Sequence, residues 1–246
     1  MRPGFWMLRN YKRRLWRVPS AWWGEIAAWR RFWRSYRAYR AMAPEQVPTM
    51  QLLPCLNDDT AETPIEPIYF YQDAWAFERI VAGHPPEHVD VGSHHKFVAL
   101  LSKVVPVTMV DIRPLPLPLN TLKFLKGSIL ELPFADASIG SLSSLCVVEH
   151  IGLGRYGDPL NPHGSEEAIA ELKRVVAPGG DLYLSLPVDD VTRVYFNAHR
   201  AFEEEYLFTL FGGFELLDRR YIVRGRYLEK REPGFGIGCY HLKRNA

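Results

Sequence analysis

Between His88 and Pro187 the chain carries five spaced segments, of which four read as short apolar strands and three of those four are followed by a polar residue, as in a parallel sheet. They read His88-Val-Asp-Val-Gly-Ser93, Val107-Thr-Met-Val-Asp-Ile-Arg113, Gly127-Ser-Ile-Leu-Glu-Leu-Pro-Phe134, Ser144-Leu-Cys-Val-Val-Glu-His-Ile151 and Leu172-Lys-Arg-Val-Val-Ala-Pro-Gly-Gly-Asp-Leu-Tyr-Leu-Ser-Leu-Pro187. Strands buried on both faces read as continuous apolar runs, and the crevice outside their carboxyl ends is where open α/β sheets bind ligands. Polar residues placed at those ends therefore predict a site of nucleoside type.

The spacing predicts strands at His88–Val91, Val107–Ile112, Leu122–Lys126, Ser141–Val147 and Asp181–Leu186, with helices over about Lys96–Lys103 and Ser165–Val176, the latter stopped by Pro178-Gly-Gly. About nine residues separate the second strand from the third, fewer than the dozen or so a parallel crossover usually takes. The insert Arg113-Pro-Leu-Pro-Leu-Pro-Leu119 cannot be helical, because alternating prolines remove donors and hold an extended path. A helix usual at this place is missing. Beyond the fifth strand, Ala201–Phe211 reads as a helix, and Phe214–Arg224 with Gly236–Lys243 as an antiparallel pair joined by a polar Pro/Gly stretch.

The N-terminus has a different character. Six of the seven tryptophans (Trp6, Trp16, Trp22, Trp23, Trp29, Trp33) fall in the first 33 residues, and residues 1–40 hold eleven Lys/Arg against one acid, Glu25. The remaining residues hold nineteen Lys/Arg against twenty-seven Asp/Glu, so the net charge of +2 conceals a basic arm on an acidic body. With Ser20 as a helix N-cap, Trp22, Ile26, Trp29, Trp33 and Tyr36 recur at alternating spacings of four and three, making one aromatic stripe bordered by arginines. Tryptophan with arginine suits the bilayer interface. The same face could pack on the chain's own body or a twin subunit, or meet nucleic acid, and the leading expectation is an anionic membrane surface contacted through residues 1–40. Arginines interrupt this segment too often for a signal-peptide core, and no stretch has the eighteen or so apolar residues of a membrane span. Three cysteines, Cys55, Cys146 and Cys239, imply neither a disulfide framework nor a zinc knuckle. A cytoplasmic protein, peripheral at the inner membrane face, is the expectation. The organisation expected is an amphipathic arm over 1–43, a Pro-rich connector over 44–70 and a catalytic-type domain over 71–246, with a short helix from Tyr71 to Ala82.

Asp90-Val-Gly92, Asp111, Leu132-Pro-Phe134, Glu149-His150 and Leu172…Pro178-Gly-Gly180 resemble the pattern of class I S-adenosylmethionine-dependent methyltransferases across residues 85–190. Val147-Val-Glu-His-Ile-Gly-Leu-Gly-Arg-Tyr-Gly-Asp-Pro159, Leu182–Pro187 and Phe196-Asn-Ala-His-Arg200 are similar to an uncharacterised methyltransferase-like family found among surface-polysaccharide genes. The resemblance implies a Rossmann-like α/β fold of the class I methyltransferase kind: a mostly parallel sheet ending in an antiparallel hairpin, helices on both faces, and a shortened connection after strand two. It implies S-adenosylmethionine as cofactor, held by Asp90, Gly92 and Ser93 at the turn, Asp111 on the ribose, Ile112 and Ile129 around the adenine with Ser128 at its edge, and Cys146 nearby. His150 is the first candidate for general base, since an unperturbed imidazole titrates near neutrality, with Glu149 orienting it. Arg155, Tyr156, Asp158, His163, Asn197 and His199 are candidates for holding a small-molecule or glycan acceptor. No resident metal is expected, although Glu149, His150, Asp158 and His163 mix oxygen and nitrogen donors.

Two departures stand out. His94, His95 and Lys96 follow Gly92-Ser93 where further glycines are usual, and Ser128 stands where an acid commonly reads the adenine amino group. A binding module without turnover therefore remains an alternative, and a nicotinamide-dependent sugar enzyme another, although that class normally needs the fuller Gly-x-Gly-x-x-Gly turn.

Overall fold

The structure is a computed structural model that describes residues 18–42, 52–116 and 118–246. Packing divides the chain into two compact units, Met1–Pro64 and Ile65–Ala246. Trp6, Trp16, the side chain of Trp22 and connector residues 43–51 lie outside what is described.

In the first unit, helix α1 spans Val18–Met42. It starts two residues before the expected cap, so Ser20 lies inside the first turn beside Pro19, whose fixed φ suits that position. Residues 52–60 have no regular element and run along one side of α1. Arg31 donates from Nη2 to the Leu56 carbonyl (2.9 Å) and pairs through Nε with Asp59 (3.0 Å), while Ala28 is buried.

The second unit is a three-layer sandwich around one sheet. Its eight strands are β1 (His88–Val91), β2 (Val107–Asp111), β3 (Leu122–Lys126), β4 (Ile139–Leu145), β5 (Val176–Val188), β8 (Phe214–Val223), β9 (Arg226–Leu228) and β10 (Gly236–Arg244), in the order β3-β2-β1-β4-β5-β10-β8-β9. β1 to β5 pair in parallel, whereas β10 lies antiparallel between β5 and β8. The order reverses between β1 and β4, the topological switch point that opens a crevice at the strand ends.

Alternation along the strands builds the two faces. Val107, Met109 and Tyr183 pack against helices α2 (Pro67–Ala82) and α3 (His95–Leu101), where Trp75, Ile80, Phe97, Val98 and Leu101 meet them. Val110, Leu182, Leu184 and Leu186 point the other way, to Ile169 and Leu172 of α4 (Gly164–Val175) and Leu207 of α5 (Glu204–Leu210). Each fully buried aliphatic side chain here contributes about 1.5–3 kcal/mol relative to exposure. Glu66 caps α2 by accepting from the Tyr69 amide (2.7 Å), and Pro67 opens its first turn. Trp75 Nε1 and Arg79 Nε both donate to Asp218 Oδ2 (3.0 Å each), tying α2 across the sheet to β8.

Most expected strands are present within one to five residues, and β3 matches at both ends. β4 runs Ile139–Leu145, so Cys146 and Val147 lie beyond it rather than within it. β5 begins at Val176, not Asp181; a register shift between Ile139 and Ser141, with Gly179 at φ +72, absorbs the Pro178-Gly-Gly kink. The helix expected from Ala201 begins at Glu204, because Ala201 ends a short hairpin of β6 (Arg193–Tyr195) and β7 (His199–Ala201) that lacks any apolar alternation. Among the described residues between β2 and β3 there is no helix, as the prolines require.

Candidate functional site

The crevice is built up from β1. His88 and Asp90 are both buried, and both are fully employed inside the protein. Ser143 Oγ donates to Asp90 Oδ2 (2.5 Å), so it accepts from His88 Nε2–H (2.8 Å), leaving His88 Nδ1 to accept from Ser141 Oγ (2.8 Å). Asp90 Oδ1 takes the Ser93 amide (3.0 Å), and Ser93 Oγ takes the Leu145 amide (3.0 Å). Burial lowers the His88 pKa to about 3, so it is a neutral tie between β1 and β4. Burial also raises Asp90 to about 6, against the pull of its hydrogen bonds to Ser143 and Ser93. This network fixes the turn after β1, where Gly92 has φ +72 and a Cβ would stand 3.0 Å from Val147. A side chain there would be strained by its backbone and by its neighbour.

Two adjoining cavities, of about 580 and 370 Å³, open where β1, β2 and β4 end. Both fall in the size range of about 300–1,000 Å³ typical of ligand sites. Gly92, Asp111, Arg113, Cys146, His150 and Tyr156 line both, so the two form one cleft with a shared waist. The smaller lobe adds Ile112, Ser128, Ile129, Val147 and Asp158. The larger adds Tyr69, Ser93, His94, His95, Glu149, Arg155, His199 and Phe235. Asp111 Oδ1 accepts from the Arg113 amide (2.8 Å) and stands 3.5 Å from its Nε, which leaves Oδ2 free of any described partner.

Cys146 leaves β4 with φ +53, a conformation uncommon for a residue with a side chain. Its thiol donates to Gln72 Oε1 (3.1 Å), which also accepts from Ser185 Oγ (2.8 Å). Burial pushes that thiol well above its ordinary pKa, and the Glu149 carboxyl adds to the shift. Cys146 is thus a neutral wall residue, not a nucleophile.

The turn Val148–His150 follows at once. Glu149 is buried, and its Oε2 has no hydrogen-bond partner among the described residues. Burial raises its pKa to about 8, with Arg155 pulling the other way. His150 donates from Nδ1 to the Ala198 carbonyl (2.7 Å), which leaves Nε2 without a proton, 3.6 Å from Glu149 Oε1. Burial lowers His150 to about 4, and the positive charges of Arg155 and His199 assist. The expectation that His150 titrates near neutrality is corrected accordingly. Of the two, Glu149 has the proton affinity closer to physiological pH.

A group whose pKa rises on folding lends stability at low pH. For Glu149 that stability is complete below its unfolded value of 4.5 and is lost as pH rises through about 8. Glu149→Gln cannot ionise, so it is expected to be more stable than the natural chain near pH 9 by an amount on the order of 4 kcal/mol, and to lose that advantage near pH 5. Urea denaturation of both proteins at these two pH values checks this. A gap that does not change with pH would show that Glu149 titrates normally.

The loop after the turn lies across the waist. Tyr156 packs against Arg113 (Cζ 4.6 Å from the ring centroid) and Arg155 (5.2 Å), with the His150 ring edge-on at 5.6 Å. Asp158 holds the loop in this shape by accepting from the amides of Gly152 (2.8 Å), Gly154 (3.3 Å) and Tyr156 (3.1 Å). Burial acts to raise the Asp158 pKa, but those amides outweigh it and hold the carboxyl below its ordinary value.

Of the residues singled out from sequence, Glu149, His150, Gly92, Ser93, Asp111, Ile112, Ser128, Ile129, Cys146, Arg155, Tyr156, Asp158 and His199 line the cleft. Asp90 lies beneath it and positions the turn. His163, just before α4, and Asn197, at the tip of the β6–β7 hairpin, line neither lobe and are exposed. Sequence reasoning missed Tyr69, Arg113 and Phe235, which arrive from α2, the proline insert and the β9–β10 connection. Tyr69 lies tilted against His94 (ring centroids 5.0 Å, 38°), itself 4.3 Å from His95. The only sequence signal for Arg113 was its place two residues after Asp111.

Residues 135–224, less than half the chain, match a family described as "Caenorhabditis protein of unknown function, DUF268". No curated protein matches the chain. Among solved structures, it is similar to Burkholderia thailandensis 1,6-didemethyltoxoflavin-N1-methyltransferase with bound 1,6-didemethyltoxoflavin and S-adenosylhomocysteine, at 18% identity over 72% of this chain and 79% of that one, TM-score 0.54. It is similar also to the N-methyltransferase NodS from Bradyrhizobium japonicum WM9 in complex with S-adenosyl-L-homocysteine, at 13% identity over 77% and 94%, TM-score 0.53. The [4+2]-cyclase SpnF is a third likeness, at 15% identity over 71% and 82%, TM-score 0.52. These establish a Rossmann-like class I methyltransferase fold. One of the three bears the name of a cyclase, so the fold leaves the reaction to the site.

Proposed function

We propose that the cleft binds S-adenosylmethionine and that the protein methylates a hydroxyl of a sugar or lipid-linked glycan. The observation that carries this reading is the shared waist: Gly92 and Asp111, at the carboxyl ends of adjacent strands, line both lobes. The residues present fit the cofactor. Ile112 and Ile129 give the smaller lobe apolar walls for a flat base, with Ser128 as a polar edge. Asp111 offers a free carboxylate oxygen for ribose hydroxyls, and Gly92 lines both lobes at the turn after β1. When bound, S-adenosylmethionine supplies a methyl group on a positively charged sulfur.

The chain's own part is to position the acceptor and take its proton. Glu149 Oε2 is the natural base: it lacks a partner, and a pKa of about 8 lets it hold a proton firmly once taken. His150, kept neutral and pinned to Ala198, presents Nε2 as an acceptor for a neighbouring hydroxyl of the same sugar, which would hold the reacting one in place. Arg155 lines the larger lobe with no carboxylate partner among the described residues, donating to the Ala198 carbonyl (2.7 Å). A phosphate on the acceptor would find its charge-assisted donor there.

A binding module without turnover is the second reading, favoured by the engagement of Asp111 Oδ1 by Arg113 and by the single glycine before His94 and His95. Calorimetric titration with S-adenosylmethionine, S-adenosylhomocysteine and NAD separates these. Micromolar binding of the first two, about −8 kcal/mol, is expected. Saturable NAD binding instead would move the chemistry to sugar redox, and binding of none would leave the scaffold.

A further inference from the structure

We propose that α1 is an interfacial anchor that lays this chain on an anionic lipid bilayer. Ala28 is buried, and one turn away residues 52–60 meet the helix on its Arg31 side. Away from it, Ile26, Trp29 and Trp33 recur at spacings of three and four and are each about two-fifths exposed, with Trp23 at 70%. The stripe is ordered by its own rings: Trp29 stacks on Trp33 (6.3 Å, 23°), and Trp33 meets Tyr36 edge-on (5.7 Å).

Arg30, Arg34 and Arg37 border this stripe and, with its apolar members, line a shallow groove of about 740 Å³. None of the three has an acidic partner among the described residues, whereas Arg31, on the covered side, pairs with Asp59. The helix is 25 residues long, about 37 Å at the α-helical rise. No helix of the described residues is long and apolar enough to cross a membrane. Aromatic rings at headgroup depth beside guanidinium groups facing anionic lipid are the chemistry of a helix lying in the interface plane. Nucleic acid would be better served by separate ring faces on which bases can stack, and here Trp29 and Trp33 stack on each other. The anchor rests on α1 alone and stands whether or not the cleft binds S-adenosylmethionine.

Flotation of the full chain with phosphatidylcholine vesicles, with and without phosphatidylglycerol, tests it. Binding to the anionic vesicles, weakened by salt, is expected. Arg30→Ala, Arg34→Ala and Arg37→Ala together should lower partitioning about a hundredfold. Trp29→Ala with Trp33→Ala should lower it about tenfold or more at any salt concentration. A charge-matched control at three exposed sites elsewhere, Lys123→Ala, Arg224→Ala and Lys230→Ala, should retain binding. An equal loss in that control would overturn the proposal, as would no preference for anionic vesicles. Tighter binding to an oligonucleotide, or a dimer that the α1 substitutions abolish, would also overturn it. Should the variants unfold by circular dichroism, tryptophan quenching of the unaltered chain by shallow brominated lipids decides, with absence of quenching counting against the anchor.

Discussion

Asp111→Ala is expected to weaken S-adenosylhomocysteine binding by two to four orders of magnitude. Two hydrogen bonds from ribose hydroxyls to a carboxylate are worth about 1.5–3 kcal/mol each, and every 1.4 kcal/mol is tenfold in affinity. The substitution should leave the fold intact, because Asp111 ends β2 and the described contacts of its carboxyl are the amide and guanidinium of Arg113, two residues away. Asp111→Asn keeps one acceptor oxygen without the charge and should fall between. Calorimetry on the natural chain and both variants reads the series. Unchanged affinity in Asp111→Ala would remove the ribose from the end of β2 and with it the assignment of the smaller lobe.

The second large effect lies at Glu149. Once an acceptor is in hand, Glu149→Gln should lower kcat by about 10²–10⁴-fold, the usual worth of a positioned general base. Cofactor affinity should hardly change, since the carboxyl belongs to the larger lobe and not the smaller. Only the ionised carboxylate can take a proton, so the rate in the natural chain should rise with pH through about 8. The variant should lack that limb. A variant that keeps both its rate and its pH dependence would show that proton removal falls to another group. The stability gain expected of the same substitution at alkaline pH would make Glu149 a site where activity is held at a cost to the fold.

Much of the sheet could be read from the sequence because short segments with apolar residues, each ending at a turn signal, recur at the spacing of strands. Only β2 is mainly apolar, however, and β1 and β4 also bury His88, Asp90, Ser141, Ser143 and Ser144. The prolines made β3 legible at both ends, since an extended insert leaves little freedom in where the next strand starts. The β6–β7 hairpin was not legible. Its strands are three residues each, β6 is largely exposed, and Ala201 and Phe202 are buried by tertiary contact in a segment whose local pattern reads as helix. β9 escaped for the same reason, three residues being too few to show a period.

At the site, residues at strand ends were legible by position alone, as Gly92, Asp111 and Glu149 were. Their division of labour was not. Nothing in the local sequence says that Asp90 spends both oxygens inside the turn, or that burial separates the proton affinities of Glu149 and His150 in opposite directions. Tyr69, Arg113 and Phe235 come from three elements far apart in the chain, and only the fold brings them together.

Tyr156 makes the two lobes neighbours through a single side chain. Its ring belongs to both lobes and lies against two guanidinium groups, so it is a wall common to both. On the proposed reading, nucleoside and acceptor would both rest against this one ring, so a change at Tyr156 would be felt in the binding of each.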